Sequence, residues 1–211
     1  MVLEKLIYFF TLLHVMKAEP VPLKKIVRAV EKNEAYQKAI RWFFDYPERE
    51  ITLSNLCANI GVSKSAGNKA VATLEKEGFL TRKVFGRVWA LSANSTHPYL
   101  RVNKLPIHLD NLLRLGVVDA VLSRFPQSRA IILCGSYRTG DDVSTSDIDI
   151  AVEVTGNHDP TTIDLGMVNQ LGYRRNVKVN LLVFSRNRID LNLFNNIANG
   201  IVLHGFLEVR P

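Results

Sequence analysis

The sequence predicts an α+β protein of two modules: a basic helical module, then a mixed sheet flanked by helices. Three observations carry that expectation. Charge divides the 211 residues unevenly, with 20 basic and 11 acidic groups in residues 1–129 and 7 and 9 in residues 130–211. Helical periodicity dominates from about residue 34 to 77 and then gives way to two short strand-like runs. Beyond residue 130, apolar runs bounded by glycine and polar loops read as buried strands. With 47% hydrophobic and 22% charged residues, the chain is not expected to be disordered. Its length allows two small modules, each with a core. The expected division is 1–32 for N-terminal helices, 33–98 for the basic module and 99–211 for the sheet module. The two cysteines, Cys57 and Cys134, stand far apart in apolar surroundings, which argues against a disulfide framework or a cysteine-based zinc site and points to the reducing cytoplasm.

Near the N-terminus, Leu3, Leu6, Ile7, Phe10 and Leu13 fall at helical spacing, and Phe9, Leu12 and Met16 widen the apolar face. Glu4 and Lys5 interrupt the run, which is too short to span a bilayer. It also lacks the pattern of a signal peptide. A helix this apolar must be covered, either by packing within the chain or by a second copy in a homodimer. Pro20 and Pro22 end it.

The basic module reads as three helices and a ribbon. A first helix, about Glu34 to Tyr46, turns Ala39, Ile40, Phe43 and Phe44 to one side and stops before Pro47. A second follows Thr52 or Ser54 as N-cap, with Leu53, Leu56, Cys57 and Ile60 in the i, i+3, i+4, i+7 pattern. After Gly61-Val62, Ser63 caps a third helix, Lys64 to Glu77, whose apolar side is Ala66, Ala70, Val71 and Leu74, and Gly78 ends it. Two strand-like runs, Leu80–Val84 and Arg87–Leu91, flank Phe85-Gly86 as a hairpin. Lys64, Ser65, Asn68 and Lys69 lie on the third helix away from its apolar side, where short polar and cationic groups can reach base edges and phosphates. Arg82, Lys83 and Arg87 on the hairpin suit the DNA backbone or minor groove.

The stretch from Ile51 to Leu91 resembles the winged helix-turn-helix domains of archaeal and bacterial transcription regulators. That resemblance implies double-stranded DNA as a partner, with the third helix in the major groove. Gly67, inside that helix, costs helix stability and is read as a point of close packing, with no partner that the pattern identifies.

A linker runs through Ser95 to Pro106; His97 and His108 lack a spaced partner set and read as surface or hydrogen-bonded loop residues rather than metal ligands. Leu109 to Leu122 then traces one amphipathic helix with Gly116 as a weak spot. Ala130–Cys134 is a buried strand that runs into Gly135-Ser136, and a polar loop from Asp141 leads to Ser146-Asp147-Ile148-Asp149 on the next strand. Residues i and i+2 of a strand share a face, so Asp147 and Asp149 present two carboxylates together while Ile148 and Ile150 point into the core. Such a pair repels itself unless a cation neutralises it, and a hard ion such as Mg²⁺ or Mn²⁺ takes these oxygens while leaving positions for substrate phosphates. Gly135 allows close backbone approach and Ser136 adds a hydroxyl; with Arg138 in the same turn they are the expected nucleotide-binding residues. The combination equips the chain for phosphoryl or nucleotidyl transfer.

The strand, Gly135-Ser136 with Gly140, and Ser146-Asp147-Ile148-Asp149 resemble the nucleotidyltransferase superfamily that includes DNA polymerase beta, most closely its minimal nucleotidyltransferases. The resemblance spans about residues 109–208 and includes a last helix and edge strand from Asn195 to Gly205. It implies a nucleoside triphosphate substrate, with ATP first among them, catalytic Asp147 and Asp149, and a metal held by those two and by the residue on a later strand, about Asn176 to Ser185. That third position is a carboxylate in catalytically complete relatives and is Asn180 here. Asp164 reads either as a substitute carboxylate or as a solvated residue on an intervening helix, the second being preferred, and Arg174, Arg175 and Lys178 either contact triphosphate or, the preferred reading, form a solvated surface cluster. Three functions follow: an enzyme transferring a nucleoside monophosphate to an unidentified acceptor, a DNA-binding regulator whose degenerate domain binds nucleotide without turnover, or an antitoxin-like nucleotidyltransferase.

Overall fold

The computed structural model of the chain describes residues 34–86 and 88–209, which fall in one compact unit, Asn33–Pro211. The apolar N-terminal helix and Arg87 lie outside the described residues. No helix among the described residues is long and apolar enough to cross a membrane.

Helix α1 spans Glu34–Asp45 and buries Tyr36, Ala39, Ile40, Trp42, Phe43 and Phe44 against the following helices. A two-residue strand, β1 (Ile51–Thr52), precedes helix α2, Leu53–Ile60. Of the two candidate caps, Thr52 is the one used: its hydroxyl accepts the Asn55 N–H at 3.2 Å. Helix α3 covers Lys64–Lys76, and the Ser63 hydroxyl accepts the Ala66 N–H at 3.2 Å. The α2–α3 packing explains Gly67, since a Cβ there would collide with the Cys57 sulfur. Strands β2 (Leu80–Phe85) and β3 (Val88–Ala93) form the hairpin, and β1 adds to its β3 side, giving the sheet order β1-β3-β2.

A 3₁₀ turn at Pro98–Leu100 leads to helix α4, Lys104–Arg114, and helix α5, Val117–Arg124. The expected single helix is thus two, because Gly116 adopts φ 64° and turns the chain between them. His108 is also not a loop residue; it is buried on α4, and its Nδ1 lies 2.7 Å from the Tyr137 carbonyl oxygen. Burial pulls the imidazole down to about 4, so at neutral pH it is Nδ1–H that donates to that carbonyl.

The second sheet contains β4 (Ala130–Cys134), β5 (Ile148–Glu153), β6 (Thr161–Leu171), β7 (Arg174–Phe184) and β8 (Ile201–Gly205), in the order β6-β7-β5-β4-β8. Only β5 and β7 run parallel; the other neighbours are antiparallel. Residues 161–171 form a strand rather than the expected helix because they pair antiparallel with β7, and across an irregularity between Asp164 and Gly166 they keep Ile163 and Val168 on the core side while Asp164 and Met167 stand exposed. The two faces carry separate cores. Ile131, Leu133, Ile148, Ile150, Val179 and Leu181 pack under α4 and α5, while Ala130, Ile132, Ala151 and Phe184 pack under helix α7, Leu191–Ala198. This alternation places the odd residues of β5 and the even residues of β7 on the α7 face.

The two sheets are tied through the end of α1. Tyr173, in the β6–β7 turn, donates its N–H to Asp45 Oδ2 at 2.7 Å and accepts the Tyr46 hydroxyl on its carbonyl at 2.6 Å. Gly172 beside it is required, because a Cβ there would meet the Asp45 carboxylate. Burial pushes the Asp45 carboxyl up to about 6, against the Tyr173 N–H and the Arg174 charge that favour its ionised form.

Candidate functional site

Asp149 lies on β5 between Cys134 of β4 and Asn180 of β7, directly in register with both. Period two then puts its carboxylate on the α7 face together with Asn180. Asp147, just before β5, reaches the same place. The Asn180 side-chain amide donates to Asp147 Oδ2 at 3.2 Å and to Asp149 Oδ1 at 3.1 Å, so one nitrogen bridges the two carboxylates. Gly135 makes room for this arrangement: at φ 65° it opens the five-residue helix α6, Gly135–Thr139, and a Cβ on it would stand 2.5 Å from Asp149 Oδ2. Its service is to the carboxylate as much as to any phosphate. Ser136 and Arg138 follow on the same helix, both half-buried.

Two cavities of about 280 Å³ indent the unit. One, between α1, α4 and the β6–β7 turn, is walled by Asp45, Lys104 and His108 and is remote from the carboxylate pair. The other is lined by Asp149 and Asn180 together with Thr162, Leu182, Leu193, Asn196 and Ile197. Its size is close to the lower end of small-molecule sites, about 300 Å³, and its make-up is the usual one of apolar walls with a few polar groups. Of these residues, the sequence analysis singled out only the carboxylate-bearing side; Leu182 was findable as Asn180 plus two, whereas Asn196 needed the α7 placement. Cys134 also borders the cavity. Burial pushes its thiol up to about 12, Asp149 adding to that and Arg138 opposing it, so it is no thiolate nucleophile at neutral pH.

The donor set suits one hard cation. Two half-buried carboxylates converge on a point now served by an amide N–H₂, and rotating that amide by half a turn would present its oxygen there. No cluster of three or more His, Cys, Asp or Glu side chains suited to a metal occurs among the described residues. Asp164, directly across from Asn180 in the β6–β7 ladder, does not join the pair; its Oδ1 accepts the Gly166 N–H at 2.7 Å and its Oδ2 lies 4.0 Å from Lys178.

The expected surface cluster around Arg174 is likewise divided. Arg174 is buried, 3.4 Å from Asp142 Oδ2, and donates to the Ser146 carbonyl; Arg175 is exposed and Lys178 faces Asp164. Arg174 looked solvated in sequence because its partner lies 32 residues away. Asp142 Oδ1 also sits 2.7 Å from Lys104 Nζ, and the same ammonium donates to the Asp142 carbonyl at 2.7 Å.

On the other module, Lys64, Ser65, Asn68 and Lys69 stand exposed on α3, opposite buried Ala70, Val71 and Leu74. Arg82 and Lys83 are engaged within the chain. Arg82 pairs with Glu75 at 2.9 Å and covers the Trp89 ring, and Lys83 lies 3.4 Å from Glu50.

The carboxylate pair, the Gly135 turn and the cavity thus lie together on the α7 face. The family model of the nucleotidyltransferase domain matches residues 116–202, from the α4–α5 turn into β8, and encloses Gly135, Asp147, Asp149 and Asn180. The match points to nucleotidyl transfer in general for this segment. No curated protein matches the chain.

Proposed function

We propose that the chain is a metal-dependent nucleotidyltransferase that moves a nucleoside monophosphate from a nucleoside triphosphate, ATP first among them, to an acceptor, and that residues 33–98 form a winged helix-turn-helix holding it on DNA. The observation that carries the first part is the convergence of Asp147 and Asp149 on one point at the wall of the α7-side cavity.

In this reading Asp147 and Asp149 hold a divalent ion such as Mg²⁺ or Mn²⁺, and Asn180 is a neutral third ligand through its oxygen. When bound, the ion would neutralise the triphosphate and polarise the reacting phosphate. The Ser136 hydroxyl and the Arg138 guanidinium meet phosphate oxygens, and the cavity lined by Leu182, Leu193 and Asn196 receives the nucleoside. The acceptor's nucleophile forms a bond to the α-phosphorus as the bond to pyrophosphate breaks. Asn180 accepts no proton and adds no negative charge, which favours a second reading, a regulator that binds nucleotide and turns it over slowly or not at all. An antitoxin-like transferase is the enzyme reading with a protein or RNA acceptor.

Labelled ATP, Mg²⁺ or Mn²⁺, and cell extract test these readings together. Transfer of label to a macromolecule, lost in Asp149→Asn, supports the enzyme; a nucleotide-dependent DNA mobility shift without label supports the regulator. Neither result in any extract overturns the proposal. For the DNA arm, four exposed polar residues on one side of α3 support groove contact. Lys64→Ala combined with Lys69→Ala should weaken duplex binding and flatten its salt slope by about two, near one per lost phosphate contact. Unchanged binding rules out this face.

A further inference from the structure

The loop that delivers Asp147 is held from three sides. Asp142 is buried between Lys104 of α4 and Arg174 at the start of β7. Arg174 also donates to the carbonyl of Ser146, the residue before Asp147. Within the loop, the Val143 N–H donates to the Ser146 hydroxyl oxygen and the Ser146 N–H to the Val143 carbonyl, each at 3.0 Å. The third hold comes from outside the nucleotidyltransferase segment. Glu48, in the turn after α1, accepts the Ser144 hydroxyl on Oε1 and faces the Ser144 N–H with Oε2 at 3.4 Å. Although burial alone would raise it, the Glu48 carboxyl is held below its ordinary range by these Ser144 donors. Arg101 adds a second bridge from the same side, 2.8 Å from Asp141. Gly140, next to it, has no room for a Cβ, which would lie 3.1 Å from the Arg101 Cα and the Leu100 carbonyl.

We infer that Glu48 is a positioning residue for the carboxylate site. It fixes Ser144, three residues before Asp147, and so sets where that carboxylate meets Asp149 and Asn180. The inference deepens the proposed function and rests on its assignment of Asp147 to a metal-bound nucleotide. Groups that orient ligands at one remove commonly cost 10–100-fold in metal affinity when removed. Glu48 is partly exposed, so its loss should barely affect global stability.

The test uses the full chain, with Mn²⁺ and then Mn²⁺·ATP binding followed by the electron paramagnetic resonance of free Mn²⁺. Glu48→Ala should weaken Mn²⁺·ATP about tenfold, Glu48→Gln should recover part of it through its amide oxygen, and the melting temperature should stay close to that of the parent. Amide exchange at Ser144 and Asp147 should quicken in the Ala variant without any ligand. If Glu48→Ala fails to fold, Ser144→Ala, which removes the hydroxyl side of the contact, carries the same expectation. Parent-like affinity in the Ala variants alongside lost affinity in Asp147→Asn overturns the role of Glu48 and leaves the proposed function standing. Binding that Asp147→Asn does not reduce overturns both.

Discussion

Replacing Asp142 by Leu should lower the unfolding free energy by about 3–5 kcal/mol, the cost of leaving a buried charge without its partner. Asp142 is 2% exposed, and its two cationic partners, Lys104 and Arg174, are 1% and 2% exposed. Burial already pulls the Lys104 ammonium below its ordinary range, and Asp142 is the main group opposing that pull. Removing the carboxylate strands two buried cations, and Asp45, the other acid that favours the Lys104 ammonium, is engaged by Tyr173. An exposed pair gives the scale for comparison: Arg114 and Asp110 meet at 2.8 Å, but both are more than half exposed. Breaking that pair should cost no more than about 1 kcal/mol. Denaturant unfolding of the full chain measures both variants. Adding Lys104→Met to Asp142→Leu should return part of the loss, since it removes one stranded charge. A loss below about 1 kcal/mol for Asp142→Leu would show that the cluster relaxes or hydrates.

Asn180→Asp should tighten divalent-cation binding at least about tenfold and, where transfer is limited by the missing charge, raise its rate by several kcal/mol of barrier, on the order of a hundredfold or more. The exchange is nearly isosteric, and the amide already stands 3.1–3.2 Å from both neighbouring carboxylates. Its effect is therefore mostly one of charge. Without metal, three carboxylates would crowd one point where an N–H donor now separates two, so the metal-free variant should melt below the parent. Saturating Mg²⁺ or Mn²⁺ should reverse that order by mass action. Melting with and without cation, together with labelled-ATP assays, reads both effects. A variant that gains neither cation affinity nor activity means that residue 180 is not the third-ligand position.

Much of this site could be read from the sequence because its logic is local. Strand period two puts Asp149, Asn180 and Leu182 on one face, whereas Asp147, expected on the strand, lies just before it and reaches the same point from the end of the loop. Caps at Thr52 and Ser63 and the turn at Gly61 were legible for the same reason, since each acts within a few residues. Features set by distant partners were not legible. Strand β1 exists only because Ile51 and Thr52 pair with Leu91 and Ala90, forty residues on in the chain. Arg174 reads as a surface cation until Asp142 is placed beside it, and Gly67 reads as a flaw until the Cys57 sulfur is packed over it. The strand placement of Asp164 was not legible either, because β6 is set by its pairing with β7. Asn196 and Glu48 carry no motif. Each matters only through what folding brings next to it.

The grip of Asp45 and Tyr46 on the Tyr173 peptide, with Glu48 on Ser144, bears on how such a chain can be inherited. A recombination joint at the linker near residue 98 would look harmless on a gene map, yet it would part these three residues from the backbone they hold. The halves are thus a matched set: a grafted front end would need an acid, a phenol and a second acid in the same order at and beyond the end of α1 before the borrowed sheet half regained its own geometry.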